Sequence, residues 1–193
     1  LLNEADLVFL CLPDAAAKEA VSLITNDTTR VIDASTAHRT NPDWAYGLPE
    51  LSGAQREKIK NAKRVAVPGC HASGFIVSLY PLVQAGIVPA DYPVTCTSLT
   101  GYSGGGKSLI GKYEGNPPIA GVNAPKPYAL HLKHKHLPEM QVVTGLQHAP
   151  VFMPVVANYF KGMGVTVPLV SRLLKDQMGA AAIRDFLAGY YAG

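Results

Sequence analysis

The sequence predicts an α/β protein in which an open parallel sheet is followed by a second part of α+β character. Three observations carry this reading. Over the first seventy residues, short apolar runs alternate with helical segments, so consecutive strands need crossover connections and lie parallel. From Cys70 onward that alternation gives way to a helix, β-branched strands, a Gly-rich loop and a Pro-punctuated stretch. The 193 residues are 48% hydrophobic and 16% charged, a composition that buries a core and excludes disorder as the main state.

The elements follow in order. Leu7 to Leu12 is a continuous apolar run stopped by Pro13, which fits a strand buried on both faces. Asp14 is placed to cap a helix running through Ala15 to about Ile24. Thr29 to Asp33 reads as a second strand leading into the polar segment Ser35 to Arg39. A helical stretch from about Glu50 to Ala62 precedes a third strand, Lys63 to Val67, cut by Pro68-Gly69. Gly74 to Gly86 has helical apolar spacing, with Gly86 as its stop. Tyr92 to Leu99 reads as a strand, Pro138 to Val143 as a helix, and Val151 to Tyr159 and Val165 to Val170 as further strands. No internal repeat is visible.

Several function classes fall away. A net charge of +3 over this length is too weak and scattered for a nucleic-acid footprint. The longest apolar stretch, Gly74 to Val88, contains Ser78, Tyr80, Pro81 and Gln84 and is shorter than the ~20 residues of a membrane span. Cys11, Cys70 and Cys96 match no disulfide or metal framework and suit a reducing compartment, so a cytoplasmic location is expected. The opening Leu1-Leu2-Asn3-Glu4 reads as neither a signal peptide nor a Met start.

Four motifs carry possible chemistry. Cys70 follows a strand and a Pro-Gly turn and precedes a helix, so it falls in the first helical turn. Free amides and the positive end of the macrodipole favour a thiolate there, a competent nucleophile toward an acyl carbon. The alternative is a small cysteine packed at a helix start, the reading given to Cys11 and Cys96 within their strands. His131, His134 and His136 lie in one basic stretch. Pro138 biases Leu137 away from the helix, so His136 precedes a helix and can serve as an acid/base with Glu139 near enough to orient it. A solvated basic loop is the alternative, and no Cys or carboxylate cluster completes a metal site.

Gly101 to Ser108 satisfies the phosphate-binding P-loop pattern after a strand. That motif must open a substantial helix, and Gly111, Gly115 and Pro117-Pro118 are expected to break one almost at once. No later strand ends in an Asp to hold magnesium. The loop's free amides and Lys107 still suit a phosphate. Arg39 leaves the C-terminal end of a parallel strand, where open sheets bind ligands, and could clamp a carboxylate or phosphate. An ordinary salt bridge explains it equally well.

Together these residues resemble the N-acetyl-γ-glutamyl-phosphate reductase family. The resemblance runs along most of the chain: Ile32 to Ser35 with Arg39, Tyr46 to Leu51, Pro68-Gly69-Cys70, Ser103 to Lys107, and His134 to Glu139. Lys135, the Ser35 to Arg39 segment and Gly162-Met163 are more similar to the shorter of its two subtypes. The resemblance implies a partial Rossmann-type parallel-sheet domain binding NADP over 1–68 and an α+β catalytic and dimerisation domain over 69–193. It implies Cys70 as nucleophile toward an acyl-phosphate substrate, His136 and His134 as catalytic histidines, and Arg39, Tyr128, Glu139 and Lys107 as substrate contacts. Cys11, Pro13, Ser35, Ser103, Gly104, Gly105 and Gly106 would approach the cofactor. A homodimer or homotetramer is implied, with no metal, nucleic acid or membrane partner. The family's N-terminal Gly-rich turn and C-terminal segment are missing, so residues 1–193 read as the middle of the protein and are expected to bind NADP poorly alone. Aspartate-semialdehyde dehydrogenase chemistry, a P-loop hydrolase and a non-catalytic binding module remain as alternatives, the first opposed by the His134 to Glu139 signature.

Overall fold

The computed structural model describes residues 1–192. Two four-stranded sheets organise the chain. The first is built from β1 (Leu7–Leu10), β2 (Arg30–Asp33), β3 (Ala45–Tyr46) and β4 (Arg64–Ala66), in the order β1-β2-β4-β3, with every pair parallel. Parallel pairing requires crossovers, and α1 (Asp14–Ser22) and α2 (Gly53–Asn61) supply two of them. A small core of Leu10, Ile24, Val31, Trp44 and Ala66 lies beneath this sheet.

Helix α3 (Cys70–Gln84) then leads into the second sheet, formed by β5 (Thr95–Gly101), β6 (Lys126–Pro127), β7 (Val151–Ala157) and β8 (Met163–Thr166). Its order is β6-β7-β5-β8, with β5 and β7 parallel and the outer strands antiparallel. This mixed sheet is the α+β second part expected from the sequence. The main core sits between it and the helices: Phe75, Ile76, Leu79 and Leu82 of α3 meet Cys96, Phe152 and Met140. Gly74 lets α3 approach β8, because a Cβ there would stand 2.6 Å from Val165 Cγ2. Tyr46, Leu48 and Leu51 also enter this core, so the parallel-sheet part is anchored into the second part.

Several boundaries move from their expected places. Asp14 does not cap α1, whose N-cap is Pro13; its carboxylate instead accepts from the Thr36 amide at 2.9 Å and from the Thr36 hydroxyl. The stretch near Glu50 divides into a 3₁₀ turn (Pro49–Leu51) and α2, which starts at Ser52, whose hydroxyl accepts from the Gln55 amide at 3.0 Å. Helix α3 begins at Cys70, which therefore lies in the first helical turn as expected, four residues ahead of the apolar spacing that starts at Gly74, and it ends just before Gly86, which takes φ +66°. The Gly-rich loop does open a helix, α4 (Gly106–Glu114), which runs through Gly111 and stops at Gly115. Helix α5 (Leu137–Thr144) matches its expectation closely, and β8 starts two residues early. The short β3 and β6 and the C-terminal α6 (Ala180–Tyr190) were not foreseen. Among the described residues no helix is long and apolar enough to cross a membrane.

Candidate active site

The nucleophile candidate is placed by backbone. Strand β4 ends at Ala66, and Val67-Pro68-Gly69 turns the chain so that Cys70 becomes the first residue of α3, its thiol exposed. Gly69 is buried where three side chains converge. A Cβ there would lie 2.4 Å from Glu139 Oε1, 2.5 Å from His136 Nε2 and 2.6 Å from Arg39 Nη1. Only a residue without a side chain fits, and its φ of −72° shows that space, not backbone conformation, sets the requirement.

Glu139 organises that convergence. It is 1% exposed, and its Oε2 accepts from the Gly69 amide at 3.0 Å and the Tyr46 hydroxyl at 2.8 Å. Its Oε1 accepts from Arg39 Nη1 at 2.9 Å. Burial and the adjacent Glu139 charge push the Tyr46 phenol well above its ordinary range, so it remains a neutral donor. A buried carboxylate is tolerable only when paired and hydrogen-bonded, and this one is. Oε2 thus accepts two bonds and Oε1 one from the scaffold; among the described residues no hydrogen bond joins Glu139 to His136, and Glu139 does not line the cavity. Arg39 is similarly committed: Nε donates to the Val67 carbonyl at 2.8 Å and Nη2 to the Ala34 carbonyl at 3.2 Å. Of its two readings, the salt bridge is the one formed, although the side chain still borders the cavity.

A cavity of about 570 Å³ opens beside Cys70. It brings together Cys70, Arg39, Tyr128, His134 and His136 with Gly104 and Gly105. His136 is the N-cap residue of α5, buried, with Nδ1 unpartnered. Burial, then the neighbouring His134 and Arg39, pull its pKa down to about 3. His134 is lowered by the same kind of burial and stands edge-on to His136, with ring centroids 4.7 Å apart. Both rings are neutral near pH 7.

Sequence reasoning missed two residues of this constellation. His71, next to the nucleophile, is buried in the cavity wall; its Nδ1 pairs with Ser98 Oγ at 2.7 Å and its Nε2 with Tyr128 Oη at 2.8 Å. Its pKa is pulled down to about 4, first by burial and then by His134. The only signal was its place beside Cys70. Tyr46 is the other; the Tyr46 to Leu51 segment carried part of the resemblance, but nothing local gave the tyrosine a role, since its partner lies 93 positions away.

Other candidates fall outside the cavity wall. Lys107, Ser103 and Gly106 sit on or beside the start of α4 without lining it. Ser35 is buried, donating to Asp33 Oδ2 at 2.7 Å and accepting from the Ala37 amide at 3.1 Å, so its hydroxyl holds the loop rather than a ligand. Cys11 and Pro13 are exposed just past β1. Because β1, β2 and β4 are parallel, their C-terminal ends share one edge, the usual ligand side of such sheets. Exposed Gly104 and Gly105 present backbone without side chains in the cavity wall, and above Gly104 only Thr100 Oγ1 comes within 4 Å of a Cβ position, at 3.5 Å. At Gly105 a Cβ would instead meet the Leu109 side chain at 2.4 Å, so a side chain has space only at Gly104. Among the described residues no cluster is arranged to hold a metal ion.

Comparisons with known proteins bear on the family and the fold. Residues 1–62 match the model of the semialdehyde dehydrogenase NAD binding domain, and residues 70–193 that of the semialdehyde dehydrogenase dimerisation domain. The N-acetyl-gamma-glutamyl-phosphate reductase of Chelativorans sp. (strain BNC1) is 53% identical over 97% of this chain and 61% of its own length. N-acetyl-gamma-glutamyl-phosphate reductase 2 of Pseudomonas putida is 47% identical over all of this chain and 61% of its own. The chain therefore spans about three fifths of these curated relatives. Among solved structures, aspartate semialdehyde dehydrogenase II from Vibrio cholerae superposes with a TM-score of 0.71 at 16% identity, covering 98% of this chain and 62% of that one. The Francisella tularensis aspartate semialdehyde dehydrogenase gives 0.72 at 13% identity, covering 98% and 64%, a likeness of fold.

Proposed function

The chain belongs to the semialdehyde dehydrogenase family, and from that premise we propose that it carries the reaction centre of an N-acetyl-γ-glutamyl-phosphate reductase. The observation that carries the reading is Cys70 at the first position of α3, open to a cavity walled by neutral histidines. Cys70 Sγ attacks the γ-acyl carbon, the carbonyl oxygen takes the electron pair, and collapse expels phosphate to leave an acyl thioester. A nicotinamide cofactor bound in its reduced form, NADPH in our reading, would lie against Gly104 and Gly105 and would supply a hydride to the thioester carbon; as the carbonyl re-forms, the C–S bond breaks and releases the semialdehyde and the Cys70 thiolate. His136 Nε2, which converges with Gly69 at the base of Cys70, is the acid/base that moves the proton, and His134 and Tyr128 contact the substrate.

The low basicity of His136 in the free protein suits this role. Substrate brings a phosphoryl group and a carboxylate into a desolvated cavity, and nearby negative charge raises the proton affinity of an imidazole. Protonation is thereby coupled to occupancy. Specificity for the N-acetylated five-carbon acyl phosphate rests on the 47–53% identity to reductases of that name.

We also assign the outer face of the second sheet to a homodimer contact. Thr97, Leu99, Val151 and Met153 point away from the core, and Leu99, Val151 and Met153 are 40%, 45% and 42% exposed. The match to a dimerisation domain supports a second copy as the occupant.

The test is reductive turnover by the protein that carries this chain, with NADPH and NADH, offered N-acetyl-γ-glutamyl phosphate or β-aspartyl phosphate. We expect NADPH oxidation with the first substrate only, lost in Cys70→Ala, and a thioester on Cys70 detected by mass spectrometry when the reductant is withheld. Preference for β-aspartyl phosphate would reassign the substrate, and turnover surviving Cys70→Ala would remove the nucleophile.

A further inference from the structure

One wall of the cavity is backed by a chain of three hydroxyl and imidazole groups, Ser98, His71 and Tyr128, of which the reaction scheme uses only Tyr128, as a substrate contact. Ser98, in the middle of β5, is fully buried, and the only side-chain partner of its hydroxyl among the described residues is His71 Nδ1 at 2.7 Å. The far ring nitrogen, Nε2, is 2.8 Å from the Tyr128 hydroxyl. The ring itself is held edge-on between Phe152, at 5.3 Å, and His134, at 5.6 Å between centroids, so it cannot exchange its two nitrogens by turning over freely. Burial keeps it neutral, with one N–H and one bare nitrogen to distribute.

Two arrangements of the protons are possible, and they are not equivalent. If Nδ1 carried the proton, it would donate to Ser98 Oγ, and Tyr128 would donate to Nε2. The Ser98 proton would then have no side-chain acceptor in the interior, an orphaned buried donor. If Nε2 carries the proton, Ser98 donates to Nδ1, His71 donates to the Tyr128 oxygen, and both buried groups are paired. The Tyr128 proton must then point elsewhere. Tyr128 and Cys70 share the cavity wall, and burial first, then the nearby Cys70, raises the phenol to about 12. The phenol therefore stays protonated and its hydrogen faces the cavity.

We infer that Ser98 and His71 are positioning residues that fix the polarity of the Tyr128 hydroxyl, making it a proton-bearing donor aimed at the oxygen of an acyl group carried on Cys70. The inference rests on the acyl-transfer reading of Cys70 for its purpose, though not for its hydrogen-bond argument. Negative charge develops on that oxygen when sulfur adds and again when hydride arrives, and a donor already turned toward it stabilises both transition states.

The tautomer of His71 can be read without turnover, by long-range ¹H–¹⁵N NMR correlation on the ¹⁵N-labelled protein at pH 7. A proton on Nε2 is expected, and a proton on Nδ1 would overturn the assignment whatever the protein catalyses. The catalytic part is read from kcat and KM in a double-mutant cycle. Tyr128→Phe should lower kcat by roughly a hundredfold, the loss expected for one oxyanion donor, with KM little changed. Ser98→Ala should cost about tenfold in kcat alone and close to nothing in the Tyr128→Phe background, and Ser98→Thr should restore the parent rate. A Ser98→Ala loss of the same size with and without the Tyr128 hydroxyl would mean simple structural damage and reject the relay. If N-acetyl-γ-glutamyl phosphate is not turned over at all, the functional reading fails, and the tautomer still decides the polarity.

Discussion

Gly69 concentrates the chemistry of this site more than any side chain that surrounds it. Its amide holds Glu139, and its bare Cα lets the ends of Glu139, His136 and Arg39 meet behind the nucleophile. Gly69→Ala forces those ends apart, and they cannot simply swing away because Glu139 is tied to Tyr46 and Arg39. Overpacking of this kind costs about 1–3 kcal/mol. We expect the urea midpoint to fall accordingly and alkylation of Cys70 by iodoacetamide to lose its parent rate; an unchanged midpoint and rate would show that the convergence is not tight. The buried histidines make a second residue-scale prediction. His71 and His136 titrate near 4 and 3 in the fold and near 6.5 when unfolded, so between those values the unfolded chain binds more protons. Stability is therefore full above about pH 6.5 and declines as pH falls through the window toward 4, by about 1 kcal/mol per pH unit for each ring. Urea midpoints at pH 7.5 and 5 should differ, and His71→Asn should remove about half of that difference; equal midpoints would refute the buried neutral state. At this scale Cys70, His134 and His136 were legible because each belongs to a short motif, whereas Tyr128 came only from the family resemblance. The inward commitments of Glu139, Arg39 and Ser35 were not, because a side chain's partner across the fold leaves no local trace.

Elements were most legible where the chain states its own limits. Gly86 stopped α3 and Pro138 started α5 as their backbone chemistry requires, since glycine accepts φ +66° and proline suits the first helical turn. The start of α3 was legible from the Pro-Gly turn, which put Cys70 in the first helical turn, whereas the apolar spacing showed only from Gly74 because Cys70 to Ser73 carry little periodicity, although Ala72 is fully buried. Helix α4 was misread. Gly111 was read as a breaker, yet an isolated glycine in a helix costs only ~1 kcal/mol, and Tyr113, the buried penultimate residue, supplies packing that propensity cannot show. Helix α6 carried a visible pattern in Ile183, Phe186 and Leu187, which pack on the main core. For α2, whose residues are all at least partly exposed, the N-cap should matter most. Ser52→Ala removes the acceptor for the Gln55 amide and should lower stability by ~1 kcal/mol, while Ser52→Asp should keep it. Equal midpoints for Ser52→Ala and the parent protein in urea would show that packing alone holds the helix in place.

At the scale of the whole molecule, the second sheet has one face in the core and one face bare. Cys96, Ser98 and Phe152 look inward, and the alternation of a strand sends Thr97, Leu99, Val151 and Met153 outward, with Leu99, Val151 and Met153 left exposed among the described residues. The alternation itself was legible in the sequence, but which face stays open depends on where the helices pack, and that is decided by the tertiary fold. A two-fold contact through this face would be self-complementary, so each substitution enters the interface twice. Met153→Lys places two ammonium groups in a region that would otherwise be apolar, and burying unpaired charge there is strongly unfavourable. Because Met153 is already 42% exposed in the single chain, the substitution should leave the fold intact. Sedimentation velocity should therefore show a dimer for the parent chain and a monomer for Met153→Lys at the same micromolar concentration, with matching far-UV circular dichroism. A monomeric parent, or a Met153→Lys variant that remains dimeric, would move the contact to another face and leave these apolar side chains to some other occupant.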